Sequence, residues 1–179
     1  MKNILCITYR DWAAKIYDAL EASLPELCFK IIKEKFQFSE NIVFEFDPDI
    51  ILWYGWSWIV PDNILNSYDC ICLHPSPLPK YRGGSPIQNQ IINNEKMSAV
   101  TIFKMTKDNG YEAIEQNHDD MTYFTRKKPS DSEITHQEIL TKDAEYIYNK
   151  IRMLTDPYPN AYIEDKHGKR VYIKDCYYE

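Results

Sequence analysis

An α/β fold built on a mostly parallel, Rossmann-like sheet is the class this sequence predicts, and two features predict it. Up to Met105, short apolar runs alternate with stretches of helical periodicity, the pattern of strand–helix–strand units. The opening run, KNILCITY, is short and apolar, as a buried parallel strand is.

The remaining elements follow in order. From Trp12 the spacing turns helical, with Ala13, Ile16, Tyr17 and Leu20 on one face. LCFKIIKE reads as a second strand. SENIVFEF predicts a short helix with Ser39 as its N-cap, the hydroxyl accepting one of the amide N–H groups left over at a helix start. Pro48 leads into the strand DIILWYG. PDNILNSY is a helix opened by Pro61, whose fixed φ suits a first turn, and DCICLHP is the next strand. SPIQNQIINNE predicts a helix capped by Ser85 with Pro86 in its first turn, and MSAVTIFKM a further strand. Ligands of such sheets bind beyond the carboxyl ends of the strands, and His74 and the YGWSWIVP loop both fall there.

The carboxyl third changes character. MTYFTRKKPSDSEIT is polar, extended and rich in cations. Asp143 to Leu154 predicts an amphipathic helix with Ala144, Ile147, Tyr148, Ile151 and Leu154 on its apolar face. Two alternating strands around Gly168 then make a hairpin. Its aromatic and β-branched side chains are too many for a hairpin alone in water, so a second copy of the chain is the expected cover.

The 179 residues, 44% of them hydrophobic, suffice for one domain with a small appendage. A formal charge of −6 argues against nonspecific nucleic-acid binding. The first residues hold neither a signal peptide's apolar core nor a membrane span. Five cysteines without a CxxC pair point to a reduced, cytoplasmic setting. With four scattered histidines, they lack metal-ligand spacing, so no metal is expected.

The chemistry is expected around CLHPSPLPKYRGGSPIQNQ. Four prolines stiffen the loop before any ligand arrives, Gly83 and Gly84 permit close backbone approach, and Arg82 adds a permanent cation. A connection between a strand and a helix needs none of this, although a lone histidine at a strand end is often only structural.

These residues, with SAVTIFKM after them and YGWSWIVPDNIL before, resemble the signature of the N10-formyltetrahydrofolate-dependent formyltransferases. The short length, the RGGSPIQN wording and the tyrosine-rich hairpin look most like the sugar-nucleotide branch. The resemblance implies formyl transfer from N10-formyltetrahydrofolate to the amino group of a dTDP-linked amino-dideoxy sugar, in O-antigen or other surface-polysaccharide synthesis. The methionyl-tRNA branch carries a larger basic second domain, and the net charge disfavours tRNA. The resemblance further implies His74 as the group that stabilises the oxyanion or protonates the leaving nitrogen. Gly55, Trp56, Trp58, Ile59, Val60 and Pro61 become the folate-binding loop. Lys80, Arg82, Gly83, Gly84, Tyr123, Arg126 and Trp12 become candidates for the sugar nucleotide.

The chain departs from the family's pattern at two places. Cys72 occupies the position of an asparagine that donates to the oxyanion; a thiol is a weak donor, so the catalytic reading of Cys72 is as a covalent nucleophile, against which a cysteine on a strand is usually a small apolar filler. Asp108 carries the letters of the family's Asp-x-Gly but follows Met105 too closely, so a segment of several tens of residues is expected to be missing after it; the catalytic aspartate is then either Asp108 or a residue of that segment. The expected domains are a catalytic core, 1–138, and a C-terminal helix with a dimerising hairpin, 139–179. The competing expectations are a non-catalytic folate- or nucleotide-binding relative, and formyl transfer to a ribonucleotide amine.

Overall fold

The computed structural model describes residues 1–106 and 120–179. The chain divides into two compact units, Met1–His74 with Val100–Gln116, and Pro75–Ala99 with Asn117–Glu179.

The first unit runs β1 (Asn3–Ile7), α1 (Asp11–Ser23), β2 (Cys28–Ile32), α2 (Glu40–Phe46), β3 (Ile50–Tyr54), α3 (Asp62–Ser67) and β4 (Asp69–His74). After β5 (Arg82–Gly83) and α4 (Pro86–Ile92) of the other unit, β6 (Thr101–Lys104) returns to the same sheet. The strand order is β2–β1–β3–β4–β6. The first four strands are parallel, and β6 lies antiparallel to β4. An antiparallel last strand needs no crossover back to the sheet's other end.

The apolar strands are explained by burial on both faces. Leu5, Ile7, Ile51, Trp53 and Cys70 pack with Val43 of α2 and Ile64 of α3. Ile4, Cys6 and Tyr54 pack on the other side with Ala13 and Tyr17 of α1. Of the face expected for α1, Ala13 and Tyr17 are buried and Leu20 packs beside them, but Ile16, at the margin of the stripe, stays 38% exposed. Ser39 caps α2 as expected, its Oγ accepting the Ile42 N–H at 3.3 Å.

A single buried hydroxyl ties α1 to the sheet. Tyr17 Oη donates to the Leu52 carbonyl at 2.8 Å and accepts the Tyr54 N–H at 2.7 Å. Burial pushes this phenol far above its ordinary pKa, so it stays protonated and able to donate.

In the second unit, β5 pairs in parallel with β7 (Tyr123–Phe124). Then come α5 (His136–Thr141), α6 (Ala144–Arg152) and the hairpin of β8 (Ala161–Glu164) and β9 (Arg170–Ile173). Ile134, Ile151, Met153, Leu154 and Ala161 form its core, with Ile91 and Ile92 of α4 against it. The helix expected from Asp143 is α6, and Asp143 Oδ1 caps it through the Tyr146 N–H at 2.7 Å. Ala144, expected on its apolar face, is exposed in the first turn.

Two local readings need correction. Ser85 sits at the N-cap position of α4 but has left-handed φ of 52° and makes no cap. Its Oγ instead accepts the Lys127 N–H at 2.9 Å. The stretch 121–135, expected to be extended, turns at Pro129–Ser132 into a short 3-10 helix, and at its end Thr135 forms with Glu138 a capping box that starts α5.

Glu138 also makes the most buried ion pair among the described residues, with Lys150 Nζ at 2.6 Å. Tyr146 Oη donates to the same carboxylate at 3.1 Å, and the Thr135 N–H at 2.8 Å. Burial by itself raises the pKa of Glu138, but the lysine and the amide donors hold it below the ordinary carboxylate value.

Two stability changes are expected. Tyr17→Phe leaves the Leu52 carbonyl and Tyr54 amide without that partner and lowers unfolding free energy by about 1–3 kcal/mol in urea titration. Because the folded pKa of Glu138 is depressed, its stabilisation is complete above the ordinary carboxylate pKa and is lost as pH falls through the depressed value. Glu138→Gln therefore costs about 3 kcal/mol at pH 7, and the gap from wild type narrows on acidification, checked by urea titrations across that range.

Candidate functional site

Strand register places His74. The last β3–β4 pair is Tyr54 with Leu73, so His74 stands one residue beyond the end of β3, level with Gly55 as it opens its loop. On its other side His74 pairs with Thr101 of β6. The two-residue period puts it on the same face as Cys72 and Cys70, and the ring is half-buried rather than sunk in hydrocarbon. A donor there can meet a carbonyl oxygen lying over the carboxyl edge of the sheet.

The expected folate loop starts at this edge. Gly55 has φ of 70°, and a Cβ on it would meet Arg10 Cγ at 2.9 Å and the Trp12 ring at 3.1 Å. Glycine is therefore required both for the turn and for the approach of the loop after β1. Trp56 packs on Trp53 and Phe38, with ring centroids at 5.8 and 5.3 Å, as part of the core. Val60 is buried in that core at 4% exposure, and Ile59 points outward at 95%. The six loop residues thus divide into anchors and presented groups.

Trp58 belongs to a cluster that sequence reading missed. Its ring lies 4.7 Å from Tyr9, whose hydroxyl is 2.5 Å from Ser57 Oγ. Arg10 stacks over Tyr9 at 4.4 Å, and Lys35 Nζ lies 4.5 Å above Trp58. Tyr9, Lys35 and Trp58 each follow the carboxyl end of a strand, β1, β2 and β3. The signal available was positional, since each lies two to four residues past an apolar run.

Cys72 is half-buried between Trp53 and Phe103 in the sheet register. Burial pushes its thiol up to about 12, so at neutral pH no thiolate is present to act as a nucleophile. Asp108 lies outside the described residues, as does the junction expected after it. Trp12, a candidate for the acceptor, is 44% exposed at the start of α1 and packs toward Gly55.

The second unit brings together three residues predicted separately. Arg82 pairs with Tyr123, and Gly83 with Phe124. A Cβ on Gly83 would meet the Phe124 carbonyl at 2.3 Å and the Tyr123 ring at 2.8 Å; one on Gly84 would meet the Arg126 backbone at 2.4 Å. The close approach that requires these glycines is thus made by the 123–126 segment. Tyr123 remains 71% exposed. The proline loop is held by Ser76 Oγ donating to the Lys80 carbonyl at 2.9 Å and by Gln90 Nε2 donating to the Pro75 carbonyl at 2.9 Å. Lys80 lines a cavity of about 290 Å³ together with Leu78, Tyr81, Glu95 and Asp120.

The chain resembles known proteins at two levels. A methionyl-tRNA formyltransferase from Orientia tsutsugamushi (strain Boryong) is 48% identical over 68 residues, 37% of this chain and 22% of that protein. The matches thus span only a minor part of such relatives. A solved methionyl-tRNA formyltransferase from Clostridium thermocellum superposes with a TM-score of 0.78 over 97% of both chains at 24% identity. A sugar N-formyltransferase from Shewanella sp FDAARGOS_354 does so with 0.75 over 97% of both chains at 15% identity. At these identities the structures speak for the fold. The family model described as Formyl transferase matches residues 3–113, well over half of the chain, and the chain belongs to that family.

Proposed function

We propose that this chain transfers a formyl group from N10-formyltetrahydrofolate to a primary amine, with His74 as its principal catalytic group. The observation that carries the reading is the placement of His74 one residue past the end of β3, beside the Gly55 loop. The loop's chemistry fits a flat, partly apolar donor: Trp58 and Tyr9 offer aromatic surface, and the turn at Gly55 brings backbone groups close.

In this reading the acceptor nitrogen forms a bond to the formyl carbon while the bond from that carbon to N10 breaks. One proton moves from the amine to N10. His74 donates to the formyl oxygen as negative charge gathers there, or supplies the proton to N10. The un-ionised Cys72 thiol adds little as a donor, so His74 bears more of the stabilisation than it does beside an asparagine. Asp108 is the candidate that orients the imidazole and takes the amine's proton.

Two acceptors are in view. The sequence relatives, which are methionyl-tRNA formyltransferases, favour the amino group of methionyl-tRNA. The net charge of −6 and the C-terminal hairpin favour a dTDP-linked amino sugar. Arg82, Arg126 and Lys80 are the proposed phosphate contacts for either, and exposed Tyr123 the proposed face for a base. The hairpin leaves Ile163, Val171 and Tyr172 exposed, and a second copy of the chain is the proposed cover.

With N10-formyltetrahydrofolate as donor, formylated product is expected from one acceptor, methionyl-tRNA ahead of dTDP-4-amino-4,6-dideoxyglucose. His74→Ala is expected to lower kcat/KM about 10²–10⁴-fold. No product from either acceptor, or a variant as active as wild type, contradicts the reading. Sedimentation is expected to give twice the chain mass, falling to the chain mass in Val171→Lys/Tyr172→Lys; an unchanged monomer contradicts the hairpin dimer.

A further inference from the structure

We propose that Lys35, held on the face of Trp58, receives a carboxylate from the glutamyl tail of the folate donor; this rests on the folate reading above and adds a residue to it. The contrast between two neighbouring lysines carries the argument. Lys33 is neutralised by Asp18, with Nζ 2.8 Å from Oδ1. Lys35 has no carboxylate within ion-pair distance among the described residues, and its ammonium lies 4.5 Å above the Trp58 ring. An aromatic face orients a cation without neutralising it, so the charge stays available to an anion.

The turn that presents Lys35 is fixed. Gln37 Oε1 accepts the N–H groups of Lys33 at 3.1 Å and Glu34 at 3.2 Å, closing a capping box around the 3-10 turn Lys35–Gln37. This turn follows β2, next to β1 in the sheet, and Trp58 follows β3 on the other side of β1. Lys35 is therefore anchored at the carboxyl edge of the sheet, over the ring that belongs to the proposed donor loop. A folate's carboxylates follow directly on its p-aminobenzoyl ring, and Trp58 with Lys35 offers an aromatic edge for that ring and a cation for the carboxylates beside it. The site is exposed, so the gain is modest for one carboxylate and grows when further glutamates raise the local negative charge.

The test is calorimetric binding of 5-formyltetrahydrofolate as its monoglutamate and its triglutamate, without an acceptor. Wild type is expected to prefer the triglutamate. Lys35→Ala is expected to lose about fivefold in triglutamate affinity and Lys35→Glu about tenfold, bringing the two forms to parity, while Lys35→Arg retains the preference. Lys15→Glu, an equal charge change on exposed α1, is expected to bind as wild type. Equal affinities for wild type and Lys35→Glu, or equal losses in Lys35→Glu and Lys15→Glu, overturn the proposal and leave formyl transfer standing. Absence of any folate binding by wild type overturns the folate reading itself, which the formyl-transfer assay examines separately.

Discussion

The register of β4 between β3 and β6 is the constraint on which the proposed chemistry depends. Tyr54 with Leu73 closes the parallel ladder on one side, and His74 with Thr101 closes the antiparallel one on the other. A slip of one residue would turn His74 to the opposite face and bring Leu73 to its place. The buried pair Ile51–Cys70 and buried Trp53 beside Cys72 oppose such a slip, because it would carry Asp69 toward the core face of Ile51 and Trp53. The sheet's ordinary hydrophobic packing thus holds an imidazole at its edge, and Tyr17 secures the neighbouring end of β3 through its hydroxyl.

The stiffness of the segment after His74 has a different origin from the one its composition suggests. Gly83 and Gly84 are demanded by the segment that carries Tyr123 and Arg126, since any side chain there would strike its backbone. That packing gathers Arg82, Tyr123 and Arg126 within one short ribbon. Buried amides supply the rest: Asn89 donates to the Gly84 and Ser85 carbonyls at 3.1 and 3.0 Å, and Gln90 to Pro75 and Pro86. Each satisfied amide holds a loop carbonyl that would otherwise be costly to bury.

Much of the fold was legible because its signals are local. Uninterrupted apolar runs marked the parallel strands, and Ser39 and Asp143 capped the helices they precede. Ser85 misled because its hydroxyl is claimed by Lys127, forty-two residues away in sequence. The 3-10 turn Pro129–Ser132 lay inside a stretch whose charges suggested extension, and the capping box of Thr135 and Glu138 reached past its end. His74 was legible as a strand-end histidine followed by an unusual loop. Tyr9 and Lys35 were not, because their cluster with Trp58 arises only when the ends of three strands are laid side by side, and sheet order is not written in periodicity. The purpose of the glycine pair was hidden for the same reason.

The claim that His74 faces the transferred formyl group has a direct spectroscopic test. In chain labelled with ¹⁵N-histidine, the imidazole signals of His74 should shift on addition of 5-formyltetrahydrofolate, while those of His136 and His167 should stay in place. Saturating donor analogue that leaves His74 unmoved, or that moves only His136 or His167, would contradict the account.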